Sequence, residues 1–290
     1  GIGNNREATT DEGNPDFKLT NTGHFNSPGN TFVIPNLMTS TPTQWAIIDS
    51  DGDGTSYAQP ERASLVSPVI DLDALGAPEN VKLVFDQFFA EWGGDLTDDT
   101  EDSCFVGVTT DGGTTWNEVE VNVNVGREGR ANPEVMEVNI SDWVSGDPTN
   151  VQVRFRWAGA WNYGWQIDNV QILDLELNDA AARIGYRRNI KDVNFETVQY
   201  AQVPLSQAHL VTLGTVVRNF GFHPAKNVGV DYRILDDQGA VLESGNSGTV
   251  IAELASGPLG MEDSVWFETT WTPSAVGDDT IEMIVNDDST

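Results

Sequence analysis

Short runs of β-branched and aromatic residues, broken by Gly, Asp, Asn and Pro, recur along the chain, while the 3.6-residue apolar period of helices is almost absent. Residues 81–89 (VKLVFDQFF), 103–109, 118–125, 135–140, 151–157 (VQVRFRW) and 165–175 all read as strands. Strands this short, spaced by turn residues, predict an all-β protein. The expected architecture is a β-sandwich or jelly roll, two antiparallel sheets whose inward side chains alternate with solvent-facing ones. Trp45, Trp116, Trp143, Trp157 and Trp165 fall in strand-like runs and are expected in its core.

After Leu177 the texture changes. Residues 178–206 carry mixed charge and read as a linker or a first strand, and a new strand pattern occupies 207–290. An Asn-x-Gly turn (Asn219, Gly221) and an Asp-Asp-Gln-Gly turn (Asp236 to Gly239) are expected to join paired strands there. The domain boundaries are therefore 1–177 and 207–290, and a length of 290 residues suits two cores.

Charge narrows the partners. With 45 acidic against 15 basic residues the net charge is -30, which repels nucleic acid and anionic membrane surfaces. Only Lys18, Lys82, Lys191 and Lys226 are lysines, and an Asp-rich, Lys-poor surface fits a secreted or cell-surface protein in salty water. The single cysteine, Cys104, forms no internal disulfide and sits among strand residues as a buried apolar side chain. No apolar run approaches the roughly 20 residues that span a bilayer, and no signal peptide heads the sequence, as a trimmed secreted fragment would also look.

The densest chemistry lies at Asp49-Ser50-Asp51-Gly52-Asp53-Gly54. Carboxylates at alternate positions, with glycines between, point several hard oxygens inward, the donor set of Ca2+. An EF-hand is excluded. Its loop closes with Glu at the twelfth position, where Pro60 stands here, and the flanks lack helical periodicity. The remaining ligands must come from elsewhere in the fold, and the competing reading is a solvated acidic turn. A second acidic group, Glu91, Asp95, Asp98, Asp99, Glu101 and Asp102, lies on a long loop and reads as solvated surface or a weaker second cation site.

Thr109-Thr110-Asp111-Gly112-Gly113-Thr114-Thr115-Trp116 matches an Asp-box turn with Thr for the usual opening Ser, a structural device in which Asp ties the turn's amides together. One copy without an arginine triad makes no sialidase. Trp92, Trp161 and Tyr163, in glycine-bearing loops, are candidates for a sugar-stacking platform, with a lid over the core as the alternative. The machinery of common enzymes is missing: three scattered histidines (His24, His209, His223), no H-E-x-x-H, no G-x-S-x-G elbow and no P-loop. The chain therefore reads as non-catalytic.

Six pieces in order, QWAIIDSDGDG, ASLVSPVIDL, VKLVFDQFF, VGVTTDGGTTW, VQVRFRWAG and YGWQIDNVQI, resemble the MAM-like jelly rolls called cleaved-adhesin domains of secreted bacterial peptidases and surface proteins, over residues 15–177. The resemblance implies a calcium-stiffened sandwich in which Asp168, in the last-strand motif, reaches the ion held by the DxDGD loop. Its ligand set is Asp49, Asp51, Asp53 and Asp168. An Asp in an apolar strand is costly unless paired or metal-bound, which agrees in part, and a turn-capping role for Asp168 is the alternative. The stretch VTLGTVVRNFGFHPAKNVGVDYRILDDQGAVLESG resembles the Ig-like domains of cell-adhesion-related bacterial proteins, which implies an Ig-like β-sandwich; such domains close with a further strand, which here is trimmed, supplied by residues 189–200, or donated by a neighbouring subunit. Together the two resemblances imply an adhesion or recognition module that binds a cell-surface glycan or protein. A fibre subunit that self-associates by exchanging a strand, and the accessory region of a secreted peptidase, are the alternatives.

Overall fold

The computed structural model describes residues 3–5, 16–24, 33–39, 44–50, 52, 61–74, 76, 80–91, 103–123, 125, 129–159, 163–189, 211–248 and 250–288. The chain is an all-β protein that divides into two compact units, Gly1–Asp174 and Leu175–Thr290.

In the first unit the described strands are β1 (Gly3–Asn5), β2 (Lys18–Thr20), β3 (Trp45–Asp49), β4 (Glu61–Val66), β5 (Val81–Ala90), β6 (Ser103–Thr109), β7 (Asn117–Val121), β8 (Glu134–Asn139), β9 (Gln152–Gly159) and β10 (Gly164–Asp174), with a one-turn helix α1 (Ser141–Val144). They form two antiparallel sheets. One has the order β1-β4-β9-β6-β7, the other β2-β3-β10-β5-β8. Alternation drives the layering, since Val81, Leu83 and Phe85 of β5 are buried at 1% exposure or less while Lys82, Val84 and Asp86 between them are only half-buried. The sheets meet through edge-on aromatics: Phe85 against Phe155 at 5.0 Å and Phe155 against Trp165 at 5.7 Å between ring centroids.

Trp157 and Trp165 are fully buried in this core, as is Cys104. Two other tryptophans, Trp116 and Trp143, depart from expectation, whereas Trp45 is buried as expected, in a second core cluster with Ile34, Leu37, Ile47, Phe88, Ala90 and Tyr163. The even-numbered side chains of β5 mark this as the outer face of the sheet, and the segment 33–39 covers it. Trp116 lies under the guanidinium of Arg154, 4.1 Å away, and Trp143 sits in α1 rather than a strand. The Asp-box forms as expected: Asp111 accepts from Thr109 Oγ1, Thr115 N and Thr115 Oγ1 at 2.6–2.9 Å, and Gly112 and Gly113 take positive φ.

The second unit holds β11 (Ala180–Asn189), β12 (Val211–Asn219), β13 (Ala225–Leu235), β14 (Val241–Asn246), β15 (Ile251–Leu254), β16 (Met261–Trp271) and β17 (Thr280–Asn286). One sheet runs β11-β12-β16; in the other, β13 pairs with β14, β15 and β17. Tyr232 of β13 meets Phe267 of β16 at 4.9 Å across the interface. The Asp236 turn joins the β13–β14 hairpin, with Asp236 Oδ1 accepting from Gln238 N and Ala240 N. The Asn219 turn does something other than expected. It carries the chain from one sheet to the other, because β12 and β13 do not pair; Asn219 holds this arch by donating to the carbonyls of His223 and Leu254.

Candidate functional site

Strand register gathers several strand ends at one end of the first unit. Gly164 stands opposite both Asp49 and Ala90, and Glu61 opposite Gly159, so the strand ends flanking 50–60, 91–102 and 160–163 lie together. Asp51, Asp53, Trp92 and Trp161 lie outside the described residues, as do the acidic positions 95–102. Asp49 is turned toward its own turn: Oδ1 accepts the Gly52 amide at 2.9 Å and lies 3.2 Å from His24 Nδ1, whose side chain is fully buried. A Cβ at position 52 would come within 2.6 Å of that carboxylate, so any larger residue there would push the Asp49 side chain aside. Gly164, at φ +136°, is held as tightly, since its Cβ would meet the Ile48 carbonyl at 2.1 Å.

Other groups at this end are also built in. Glu61 is buried and accepts the Trp157 indole N–H at 3.2 Å. Burial raises the Glu91 carboxyl above its ordinary range, because desolvation penalises the charged form. Tyr163 is 1% exposed inside the outer apolar cluster. Its ring faces are covered by packing, so it offers no surface for a sugar to stack on, which corrects the expectation for this residue.

Asp168 lies elsewhere. It is four positions along β10 from Gly164, roughly 13 Å at about 3.3 Å per residue. Calcium bonds of about 2.3–2.6 Å cannot reach across that separation to a carboxylate already committed to its own turn. The structure therefore does not bring Asp49 and Asp168 together, contrary to the shared ion that the resemblance implies.

Asp168 faces Asp86 directly across the β5–β10 ladder. Cross-strand partners share a face at about 5 Å between Cβ atoms, and like charges so placed repel. Beside them a bulge inserts one residue into β10 between Asp168 and Gln171, and Asn169 within it adopts φ +50°. The Asn169 amide donates to Asp86 Oδ2 and to Thr39 Oγ1, both at 2.6 Å. Asp168 Oδ2 is buried without a hydrogen-bond partner. Two carboxylates, a hydroxyl and an amide, all hard oxygen donors if the amide turns over, fit Ca2+ in chemistry. Among the described residues no group of three or more His, Cys, Asp or Glu forms a ready metal cage, so water would complete the coordination. Asp86, Thr39 and Asn169 are the residues that the strand pattern did not single out.

The outer face of the other sheet is polar but self-contained. Glu118 receives both Arg154 (2.7 Å) and Arg156 (3.1 Å), and the guanidinium of Arg156 stacks 3.9 Å from the centre of the Phe105 ring. Gly107 leaves room for this clasp, since a Cβ there would lie 2.8 Å from Glu118 Cγ.

No family model matches the chain, and no curated protein matches it. Among solved structures, Bacteroides uniformis β-glucuronidase 2 aligns with 100% of this chain over 31% of its own, at 10% identity and a TM-score of 0.37. The glycoside hydrolase domain of Endo-D from Streptococcus pneumoniae R6 aligns with 93% of this chain over 37% of its own, at 12% identity and a TM-score of 0.31. The chain thus spans about a third of these proteins, and likeness this slight carries no argument about activity.

Proposed function

We propose that the chain is a non-catalytic, calcium-stabilised recognition module of the extracellular adhesion type, secreted or displayed at a cell surface, whose partner is a cell-surface glycan or protein. The observation that carries the calcium half is the opposed pair Asp86 and Asp168, with a buried carboxylate oxygen of Asp168 left without a partner. An ion there binds the native pair and hardly the unfolded chain, so it adds stability by mass action. The recognition half is supported by the ordered motif resemblance and by a surface too acidic for nucleic acid. Thermal unfolding in calcium and then in chelator, at fixed ionic strength, tests the first; glycan-array and cell-binding assays test the second. An unmoved melting temperature together with silent binding assays overturns the reading.

A second reading, a fibre subunit completed by strand exchange, is favoured by one feature of the second unit. Among the described residues β17 pairs with β13 alone, and its core-facing Met283 and Val285 are only partly buried. Sedimentation showing only monomer at high concentration removes it.

A further inference from the structure

The end of the first unit away from Gly164 contains a cavity of about 470 Å³ between the two sheets. Its walls are core positions: Leu65, Val153 and Phe155 from one sheet, Val81, Leu83 and Ile172 from the other. The volume falls within the range of small-ligand sites, which are apolar with a few placed polar groups.

The β10 bulge decides which polar group is placed there. Upstream of it, Trp165 and Ile167 face the core, and unbroken alternation would turn 169, 171 and 173 inward. The extra residue shifts the parity, so that Ile172 pairs with Leu83 and Asp174 with Val81, both core-facing positions. Asp174 is thereby presented from the inner face at the cavity's open end. The other polar lining groups are largely committed. Ser67 Oγ donates to the Pro68 carbonyl at 2.8 Å and accepts the Val153 amide at 2.9 Å, and the Gln171 amide reaches the Asn169 carbonyl at 3.4 Å. No side-chain hydrogen bond or ion pair engages Asp174 among the described residues.

We propose that this cavity is a binding site for a small apolar amine, its aliphatic or aromatic body between the sheets and its protonated nitrogen against the Asp174 carboxylate. Apolar walls select the body by burial, and the carboxylate selects a cation over a neutral or anionic head. The net charge of -30 works in the same direction, concentrating cations and repelling carboxylates at the surface.

Calorimetric titration of the full chain with n-octylammonium, n-octanol and n-octanoate tests this. Saturable binding of octylammonium is expected, with octanoate at least tenfold weaker. Asp174→Asn should weaken octylammonium about tenfold while leaving octanol unchanged. A loss of that size cannot come from the global field, because one charge in thirty barely alters it. A nitroxide-labelled octylamine, which needs no substitution, should broaden the methyl resonances of Leu65, Leu83 and Val153 before any others. Absent saturable binding, octanoate binding as well as octylammonium, full affinity in Asp174→Asn, or broadening centred elsewhere would each overturn the site.

Discussion

Asp168 and Asp86 oppose one another across neighbouring strands, and the short contact at 2.6 Å from the Asn169 amide falls on Asp86 alone. The charge of Asp168 is therefore the less compensated of the two, and a cation between them relieves it. Replacing Asp86 with Asn should make the protein as stable as the parent, or more so, in chelator, while abolishing its response to calcium. The parent's response scales with occupancy. At a free concentration of 100 Kd an ion adds about 2.7 kcal/mol, roughly 5–10 °C in melting temperature for a unit of this size. Scanning calorimetry reads both, and a calcium shift surviving in Asp86→Asn would place the ion elsewhere.

The Asp-box gives a pH signature. Hydrogen bonds from the Thr115 side chain and amide, and from the Thr109 hydroxyl, lower the Asp111 carboxyl to about 2. A depressed folded value means that the contribution is complete above the ordinary carboxylate range near 4 and is lost as pH falls toward 2. Carbon-detected NMR should find the Asp111 midpoint near 2, with the Thr115 amide losing exchange protection over the same interval. A midpoint near 4 would mean that the turn is not clamped in solution.

Glu91 carries the opposite sign. Desolvation raises its folded value above that of the unfolded chain, so its ionisation opposes folding as pH rises from about 4.5 upward. Glu91→Gln should stabilise the chelated protein at neutral pH and leave it nearly unchanged at pH 4. Equal effects at both pH values would show that the carboxyl is solvated.

A polar chain threads the core beneath the aromatics. Trp165 Nε1 donates to Gln87 Oε1 at 2.7 Å, and Gln87 Nε2 donates to Asn122 at 2.6 Å and Glu134 at 2.9 Å. Trp165→Phe removes one donor and should cost about 1–3 kcal/mol, since Gln87 Oε1 keeps a second donor in Asn122. Gln87→Leu removes the partner of Trp165 and Asn122 at once, together with a bond to Glu134, which keeps Arg130, and should cost more. Urea denaturation that ranks the two in the reverse order would contradict this reading of the network.

Residues 103–109 were legible from their β-branched and aromatic composition and form β6 over the same span. Strand existence was readable because β-branched and aromatic residues fit a half-buried pleat whatever their partner. Pairing was not, since the same turn residues serve hairpins and arches: the Asn219 stretch looks like a hairpin turn and instead changes sheets. Tyr163 misled for a related reason, as a loop aromatic reads alike whether it covers a cluster or a ligand. Asp86 had a signal, a lone carboxylate within VKLVFDQFF, but only the register shows that it meets Asp168. The bulge had none, because an Asn at left-handed φ is not encoded by hydrophobic pattern.

That bulge ties two distant properties of the first unit to the length of one strand. Substitution at 169 or 170 would alter local contacts, whereas deleting one of these residues would turn everything downstream to the opposite face. Asp174 would swing outward, Leu173 would turn inward, and the Asn169 clamp on Asp86 would be lost. Residues 164–174 should therefore tolerate changes of spelling far better than changes of count.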